Sequence, residues 1–365
     1  MRHDDRHSEG GGAGSPLTVA FRSVAEAAPG PKWQAIFRHG WPGWAEWFGR
    51  RGDDAEEARR AERALRRHMP ELVPLWERLV ELAGGDARAA HFLTFWSPPR
   101  YLVHCSQAVL VDAQGPALVR NYDLDPRLNE GRLFASAWLG RDVIGMVEGL
   151  AGLADGMNGA GLVVSLAFGG RPALGRGFGV PLIVRYLLQV CTEVADAVEA
   201  LRGLPCHMAY NLTLLDRRGA HATVMLAPDR PAMVSTAAFA TNHQLGVEWP
   251  RHGRLSQTLE RATYLEEVLA QPGLDADGLL CRFLAPPLHR RRYALGFGTV
   301  YTALYRPAAG RMRLAWPGLR PWDQGFGAFT EGGRRIAYPE GEAPRALSSR
   351  RAALHPDEVR PGPVH

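Results

Sequence analysis

The chain has 365 residues and a mass of 40.0 kDa, enough for one large domain or two ordinary ones. Its hydrophobic content of 46% and charged content of 22% are typical of a globular protein. The net charge of +5 comes almost entirely from arginine, since Lys32 is the only lysine. These arginines are scattered and do not form the clustered basic face, interleaved with aromatic residues, that nucleic acid requires, so we expect no nucleic-acid partner.

Residues 1–16 are polar, charged and Gly-rich, which predicts a disordered tail without the apolar core of a secretory signal. No apolar run is long enough to span a membrane, so we expect no membrane partner. The cysteines are far apart and have neither C-x-x-C nor metal-ligand spacing: Cys105, Cys191, Cys206 and Cys281. We therefore predict free thiols, no metal, no cofactor and a cytoplasmic location.

Residues 17–104 are predicted to form a helical arm, comparable to a propeptide. From Val19 to about Gly85 the pattern is helical, with apolar residues at i, i+3 and i+4 spacing over residues 69–83. A short helix from Asp86 to about Phe95 is stopped by the two prolines of residues 98–99.

A β-hairpin is predicted for residues 101–125, because two apolar-alternating runs flank a short loop that contains Gly115. An Asp-x-x-Gly sequence suits a three-residue loop in which Asp112 pairs with Pro116. This register places Cys105 across from Asp123 and turns Arg120 to the opposite face unless a bulge intervenes.

The remaining sequence predicts blocks of strands separated by pairs of helices. The predicted strands cover residues 143–147, 161–168, 207–216, 221–227, 231–241, 298–305 and 312–316, with a turn at 155–159. The predicted helices cover residues 181–191, 192–204, 256–270 and 276–284. This order indicates an α+β protein with antiparallel sheets covered by helices, over residues 105–330, and a partly irregular tail over 331–365.

Candidate chemistry centres on Cys105. No serine lies in a G-x-S-x-G elbow, and the histidines lack metal-binding spacing. A nucleophilic thiol needs a base, a group that orients this base and donors for the oxyanion; Arg120, Asp123 and the Asn242 amide could supply them. Taken singly, each of these residues favours a structural role: Cys105 that of a core thiol, Arg120 and Asp123 that of a solvated ion pair, and Asn242 that of a turn or cap.

The order of several segments resembles the acyl-coenzyme A:6-aminopenicillanic-acid acyltransferase (isopenicillin-N acyltransferase) family. Its members are cysteine N-terminal-nucleophile (Ntn) hydrolases, more distantly similar to choloylglycine hydrolases and penicillin V acylases. The resemblance covers roughly residues 70–318, and the segments that carry it are Cys105-Ser106, Arg120-Asn-Tyr-Asp123, residues 154–162, 198–205 and 211–216, Thr241-Asn-His243, and residues 298–305 and 314–318.

The resemblance implies a four-layer αββα Ntn-hydrolase-like sandwich with an N-terminal helical arm. It implies self-cleavage at His104–Cys105, after which the free amine of Cys105 is the base and the two fragments remain together as a heterodimer. Asp123 would hold this amine, and Arg120 would support the carboxylate or thiolate. The Asn242 side chain and the Asn158 backbone N–H would bind the oxyanion.

The implied activity is that of an amidohydrolase or acyltransferase that takes the acyl group of a small-molecule amide or thioester onto Cys105. Three features depart from the family pattern. His104 replaces the glycine common before the nucleophile, Gly159 replaces an acidic residue, and no distal arginine is matched with certainty among residues 290–292. The alternative is an uncleaved, non-catalytic protein that binds an acylated small molecule or a partner protein.

Overall fold

The computed structural model describes residues 16–49 and 53–339. Its strands are β1 (Leu17–Ala25), β2 (His104–Asp112), β3 (Gly115–Leu124), β4 (Arg132–Ser136), β5 (Val143–Glu148), β6 (Gly152–Asn158), β7 (Leu162–Phe168), β8 (Tyr210–Asp216), β9 (His221–Ala227), β10 (Arg230–Ser235), β11 (Phe239–Ala240), β12 (Gly298–Arg306), β13 (Arg311–Ala315), β14 (Trp322–Gly325) and β15 (Gly332–Tyr338). Its helices are α1 (Pro31–Phe48), α2 (Ala55–His68), α3 (Val73–Leu82), α4 (Ala87–Leu93), α5 (Val180–Val190), α6 (Val194–Arg202), α7 (Pro250–Ser256), α8 (Thr258–Leu269) and α9 (Ala276–Phe283).

Two sheets form the centre of the molecule. The nine-stranded sheet has the order β10-β9-β8-β7-β6-β5-β4-β1-β15, and the six-stranded sheet has the order β11-β2-β3-β12-β13-β14. Neighbouring strands are antiparallel except for β1 and β4, which are parallel. The sheets face each other where β2 contacts β7 and β3 contacts β8.

Helices cover the outer face of each sheet. Helices α5 and α6 pack on the nine-stranded sheet, whereas α8 and α9 pack on the six-stranded sheet. The second packing buries a separate apolar cluster that includes Val119, Leu265 and Phe283. The architecture is therefore the predicted four-layer αββα sandwich. One face of strand β3 packs against the other sheet, and its opposite face packs against the outer helices.

The prediction of helix from Val19 onward is wrong for the first part of the arm. Residues 17–25 form β1, whose side chains alternate in burial up to the buried Phe21 and Ser23. Strand β1 pairs with β4 and with β15, so segments from both ends of the described chain complete the nine-stranded sheet. The segment contains the β-branched residues Thr18, Val19 and Val24, which favour a strand where neighbouring strands are available for pairing. The predicted tail over 1–16 lies almost entirely outside the described residues, as does the part of 331–365 that follows residue 339.

The predicted turn at residues 155–159 is also wrong, because residues 152–158 form the buried strand β6. The glycine there serves close packing between strands. A Cβ atom at Gly156 would lie 2.7 Å from the carbonyl oxygen of Ile144. The chain turns at residues 159–161 instead, where Gly161 has a φ of +90°.

The hairpin β2–β3 forms as predicted, but its register differs by one residue. Asp112 pairs with Gly115, not with Pro116, and Cys105 pairs with Tyr122, not with Asp123. The Asp112 side chain accepts a hydrogen bond from the N–H of Gln114 at 2.8 Å and closes a two-residue turn. Side chains alternate between the two faces of a strand, so a one-residue shift changes which β3 residues share a face with Cys105. In the observed register Arg120 is on the face of Cys105, and Asp123 is on the opposite face.

Candidate active site

Cys105 and Arg120 lie on the same face of the six-stranded sheet, toward the nine-stranded sheet. The Nη2 of Arg120 donates to the Cys105 Sγ at 3.0 Å and to the carbonyl of Leu166 at 3.2 Å. Both side chains are fully buried. Burial raises the pKa of the Cys105 thiol to about 11, although the Arg120 charge opposes this shift. The thiol is therefore protonated at neutral pH in this form of the chain.

Asp155 holds the Arg120 guanidinium in place from the opposite sheet. Arg120 Nη1 donates to one carboxylate oxygen of Asp155, and the hydroxyls of Tyr301 and Tyr305 donate to the same carboxylate. The guanidinium carbon also lies 4.7 Å from the ring centroid of Tyr122. A charged pair buried so deeply depends on such partners, and the bonds made by Nη1 and Nη2 orient the guanidinium toward the thiol.

Asp123 lies on the other face of β3, toward the helices α7 and α8. Its Oδ1 accepts a hydrogen bond from the Thr299 hydroxyl at 2.8 Å, whereas its Oδ2 is buried and has no hydrogen-bond partner within residues 16–49 and 53–339. Burial raises the pKa of Asp123 to about 6, and the charges of Arg261 and Arg290 limit this rise. Asp123 pairs with His104 in the sheet, so its free oxygen belongs to the face that carries the His104 side chain.

Asn242 follows β11, the strand that pairs with β2. Its Nδ2 donates to the carbonyls of Phe168 at 2.9 Å and of Val103 at 3.3 Å. Its Oδ1 accepts from Nη2 of Arg261 at 2.7 Å. The amide is thus fixed with its donor end toward the residues that precede Cys105, which suits the predicted oxyanion role.

Arg261 connects Asn242 to the strand that carries the thiol. This fully buried arginine of α8 donates to the carbonyl oxygen of Cys105 at 2.7 Å and to the Ser106 hydroxyl at 2.8 Å. Sequence reasoning did not single it out, because an arginine among polar helix residues resembles a solvated side chain. Of the three adjacent arginines considered in its place, Arg290 is buried, whereas the other two are exposed.

The Asn158 side chain is not part of the group around the thiol. Its Nδ2 donates to the carbonyls of Leu188 and Cys191 at 3.0 and 2.8 Å, and its Oδ1 accepts from the Leu162 N–H. These bonds attach the outer helix α5 to the end of β6. The oxyanion role expected for Asn158 concerns its backbone N–H, and that role stays a prediction.

His104 packs in an aromatic group on the Asp123 face. Its ring stacks on His252 with a centroid distance of 4.9 Å and meets the edge of Phe297 at 4.2 Å. Among the described residues, neither His104 Nδ1 nor either ring nitrogen of His252 has a hydrogen-bond partner. Burial lowers the pKa of His104 well below its ordinary range, so its ring is neutral at pH 7.

The structure therefore brings together four of the five predicted residues, on two faces of one strand pair. Sequence reasoning missed the residues that hold them: Asp155, Arg261, Tyr301 and Tyr305. Asp155 was assigned to a turn, and the buried Tyr-Asp-Arg group joins segments almost 200 residues apart, so no local pattern could reveal it.

In the part of the chain that the structure describes, no group of three or more His, Cys, Asp or Glu side chains could hold a metal ion, and no helix has the length and apolar character needed to cross a membrane.

The four-layer sandwich agrees with the fold class that the sequence predicts. The profile of the family named "Acyl-coenzyme A:6-aminopenicillanic acid acyl-transferase" matches residues 111–320, more than half of the chain, and the chain belongs to this family. The matched range contains Arg120, Asp123, Asn158 and Asn242, and it begins after Cys105. Comparison with curated proteins finds no match.

Several solved structures are similar to this chain at low identity. A mutant of the conjugated bile acid hydrolase from Clostridium perfringens shares 12% identity and has a TM-score of 0.43, with 65% of this chain and 97% of that chain covered. The penicillin V acylase from Agrobacterium tumefaciens shares 12% identity with a TM-score of 0.42, covering 64% and 93%. The N-acylethanolamine-hydrolyzing acid amidase ortholog of Caenorhabditis elegans shares 14% with a TM-score of 0.39, covering 56% and 93%.

Proposed function

We propose that this member of the family is a cysteine-nucleophile amidohydrolase or acyltransferase. It forms an acyl-enzyme on Cys105 from a small-molecule amide or thioester. The observation that carries the proposal is the position of the buried Cys105 thiol: the Arg120 guanidinium contacts it on one face, and the unpaired Asp123 carboxylate oxygen lies on the other face of the same strand pair.

The uncleaved chain is a precursor in this proposal. The Cys105 thiol adds to the carbonyl carbon of His104, and the bond from this carbon to the Cys105 nitrogen breaks as the nitrogen takes up a proton. Water then hydrolyses the resulting thioester, so that His104 ends in a carboxylate and the thiol is restored. Asn242 supports this step because its amide donates beside the scissile bond, to the Val103 carbonyl.

Cleavage changes the chemistry of the thiol. An α-amine has an ordinary pKa near about 8, so it exchanges protons with a thiol at neutral pH far better than any group around the uncleaved Cys105. The free Oδ2 of Asp123 accepts a hydrogen bond from this ammonium, and the Arg120 charge favours the thiolate. The two fragments remain associated, because β1 and the β2–β3 hairpin belong to the same sandwich core.

Intact-mass analysis of the purified full-length chain tests this proposal. We expect two fragments separated before Cys105, and a mass increase on the Cys105 fragment after exposure to an activated acyl thioester. Cys105→Ala should remain one chain and take up no acyl group. The matched controls are Cys191→Ala and Cys206→Ala, which remove other buried thiols, in a Cys281→Ser background that lacks the exposed one. Acylation that is unchanged in Cys105→Ala would overturn the proposal.

A non-catalytic, uncleaved protein is the second candidate function. It is supported by the complete burial of Cys105 and by the packing of His104 between His252 and Phe297. Such a protein would keep one intact mass through prolonged incubation and would bind acylated molecules without transferring their acyl groups. The same mass measurement therefore separates the two candidates.

A further inference from the structure

Arg185 of helix α5 is buried where this helix meets strand β4 and the turn before β6. Its Nε donates to the carbonyl of Ala151 at 2.9 Å, and its Nη1 donates to the Ser136 hydroxyl at 3.2 Å. The guanidinium carbon lies 4.3 Å from the ring centroid of Trp138. These three partners are uncharged, and Nη2 is buried without a hydrogen-bond partner among residues 16–49 and 53–339.

The charge of Arg185 lacks the compensation that two equally buried arginines have. Arg120 forms an ion pair with Asp155, and the carboxylate charge of Asp123 acts on Arg261. For Arg185, burial is the sole cause that shifts the pKa, which it lowers to about 9. The guanidinium is therefore still charged at neutral pH, without a counter-ion from the described chain. A buried charge in this state carries a large free-energy penalty.

Two further buried donors lie along the same contact of α5. Gln189 follows Arg185 by about one helical turn, so the two side chains share a face of the helix. The Gln189 Oε1 accepts from the Leu139 N–H at 3.3 Å, and rotating the amide would bring two donors together there. This leaves Gln189 Nε2 as a free donor. In the part of the chain that the structure describes, neither this nitrogen nor the buried Trp138 Nε1 has an acceptor.

We propose that a monovalent anion of halide size binds among the free donors of Arg185, Gln189 and Trp138. A buried water molecule would also accept their hydrogen bonds, but it would leave the charge of Arg185 uncompensated. An anion supplies both the acceptor and the counter-charge. A spherical anion accepts from any direction, which suits a guanidinium, an amide and an indole as its donors.

The anion would hold α5 against the connection between β4 and β5. Ser136 ends β4, and Trp138 and Leu139 belong to this connection, so a ligand shared with Arg185 and Gln189 attaches it to the helix. The site is on the outer face of the nine-stranded sheet, where α5 packs, whereas Cys105 lies between the two sheets. The inference is therefore independent of the proposed function.

Thermal unfolding of the full-length Cys105→Ala protein tests the site on an uncleaved chain. Sodium chloride replaces sodium gluconate at constant ionic strength, because gluconate is too large for an enclosed halide site. We expect the midpoint of unfolding to rise by roughly 3 °C and to saturate, with a similar effect of bromide. Adding Arg185→Gln should abolish this rise. Arg171→Gln is the matched control: Arg171 is also largely buried but pairs with Asp229, so its loss should leave the chloride response intact.

Crystals grown in sodium bromide locate the anion. We expect an anomalous peak beside Arg185 Nη2 and Trp138 Nε1 that is absent from Arg185→Gln. A water molecule in place of the peak overturns the proposal, as does a chloride response that is missing or that survives in Arg185→Gln. A bromide peak without saturable stabilisation would be an adventitious ion only and overturns it too. If Arg185→Gln does not fold, Trp138→Phe, which keeps an aromatic ring but loses the N–H, should weaken chloride binding roughly tenfold; unchanged binding would contradict the site.

Discussion

The Cys105 Sγ and the Arg120 Nη2 lie 3.0 Å apart on neighbouring strands, both buried between the two sheets. The two-residue turn at Asp112 makes this contact possible, because it sets the register that puts Cys105, Arg120 and Tyr122 on one face. The same register places Asp123 and His104 on the opposite face. One strand pair therefore carries a thiol with its cation on one side and an unpaired carboxyl beside the scissile bond on the other.

Replacing Arg120 by lysine should lower turnover roughly 100-fold. Lysine keeps the charge, but it lacks the planar fork that reaches Cys105, Asp155 and the Leu166 carbonyl at once. We also expect a lower midpoint of thermal unfolding, because Asp155 loses part of its buried partner set. Steady-state kinetics and calorimetric unfolding measure the two effects. Arg127→Lys, at an exposed arginine, is the control, and wild-type turnover in Arg120→Lys would contradict the assigned role.

Amide turnover should fall as the pH drops below about 6. Burial raises the pKa of Asp123 to about 6, and only its ionised form can hold the ammonium of the cleaved chain. Asp123→Asn should reduce turnover by roughly 100-fold and remove the acidic limb of the pH profile near 6. A pH–rate profile of wild type and variant measures both. If the acidic limb persists unchanged in Asp123→Asn, a group other than Asp123 causes the loss of turnover at low pH.

Asn242→Ala should lower kcat on the order of 100-fold while KM changes little, because an oxyanion donor acts mainly in the transition state. Asn121→Ala is the matched control. Asn121 is also buried and donates to two carbonyls, of Phe283 and Leu288, but it faces helix α9 instead of the thiol. Both variants should lose similar stability, so a comparable loss of kcat in the two would indicate a merely structural effect.

His104→Gly should accelerate cleavage before Cys105. The wild-type imidazole is held between His252 and Phe297, which restrains the carbonyl that the thiol attacks. Glycine removes these contacts and widens the conformational range of the scissile peptide. The fraction of cleaved chain, followed by intact mass from the time of purification, measures the rate. Slower cleavage in His104→Gly would mean that the packed imidazole positions the bond for attack.

Stability should decrease with rising pH through the neutral range. Burial raises the pKa of Glu148 from 4.5 to about 8 and that of Glu130 from 4.5 to about 7. Between the unfolded and folded pKa values the folded chain binds more protons than the unfolded chain, so the free energy of unfolding falls as the pH rises. Urea unfolding at several pH values measures this slope. Glu148→Gln should flatten it, whereas the exposed Glu46→Gln should not.

Much of the architecture follows from local patterns in the sequence. Alternating apolar residues and a turn define the β2–β3 hairpin, and paired helical patterns between strand blocks indicate helices over antiparallel sheets. Asn242 was found because it ends an apolar strand. These features depend on neighbours within about ten residues, so periodicity and turn chemistry suffice to predict them.

Only the tertiary structure decided the register of the β2–β3 hairpin and the buried polar partners of Arg120 and Asp155. A one-residue shift in the hairpin leaves the apolar pattern of either strand intact, yet it moves Arg120 to the thiol and Asp123 away from it. Likewise, Asp155 becomes a strand residue because its buried carboxylate meets Arg120 and two tyrosines from distant strands. The free energy of such long-range polar contacts depends on how the two sheets pack against each other. A local stretch of sequence does not determine this packing.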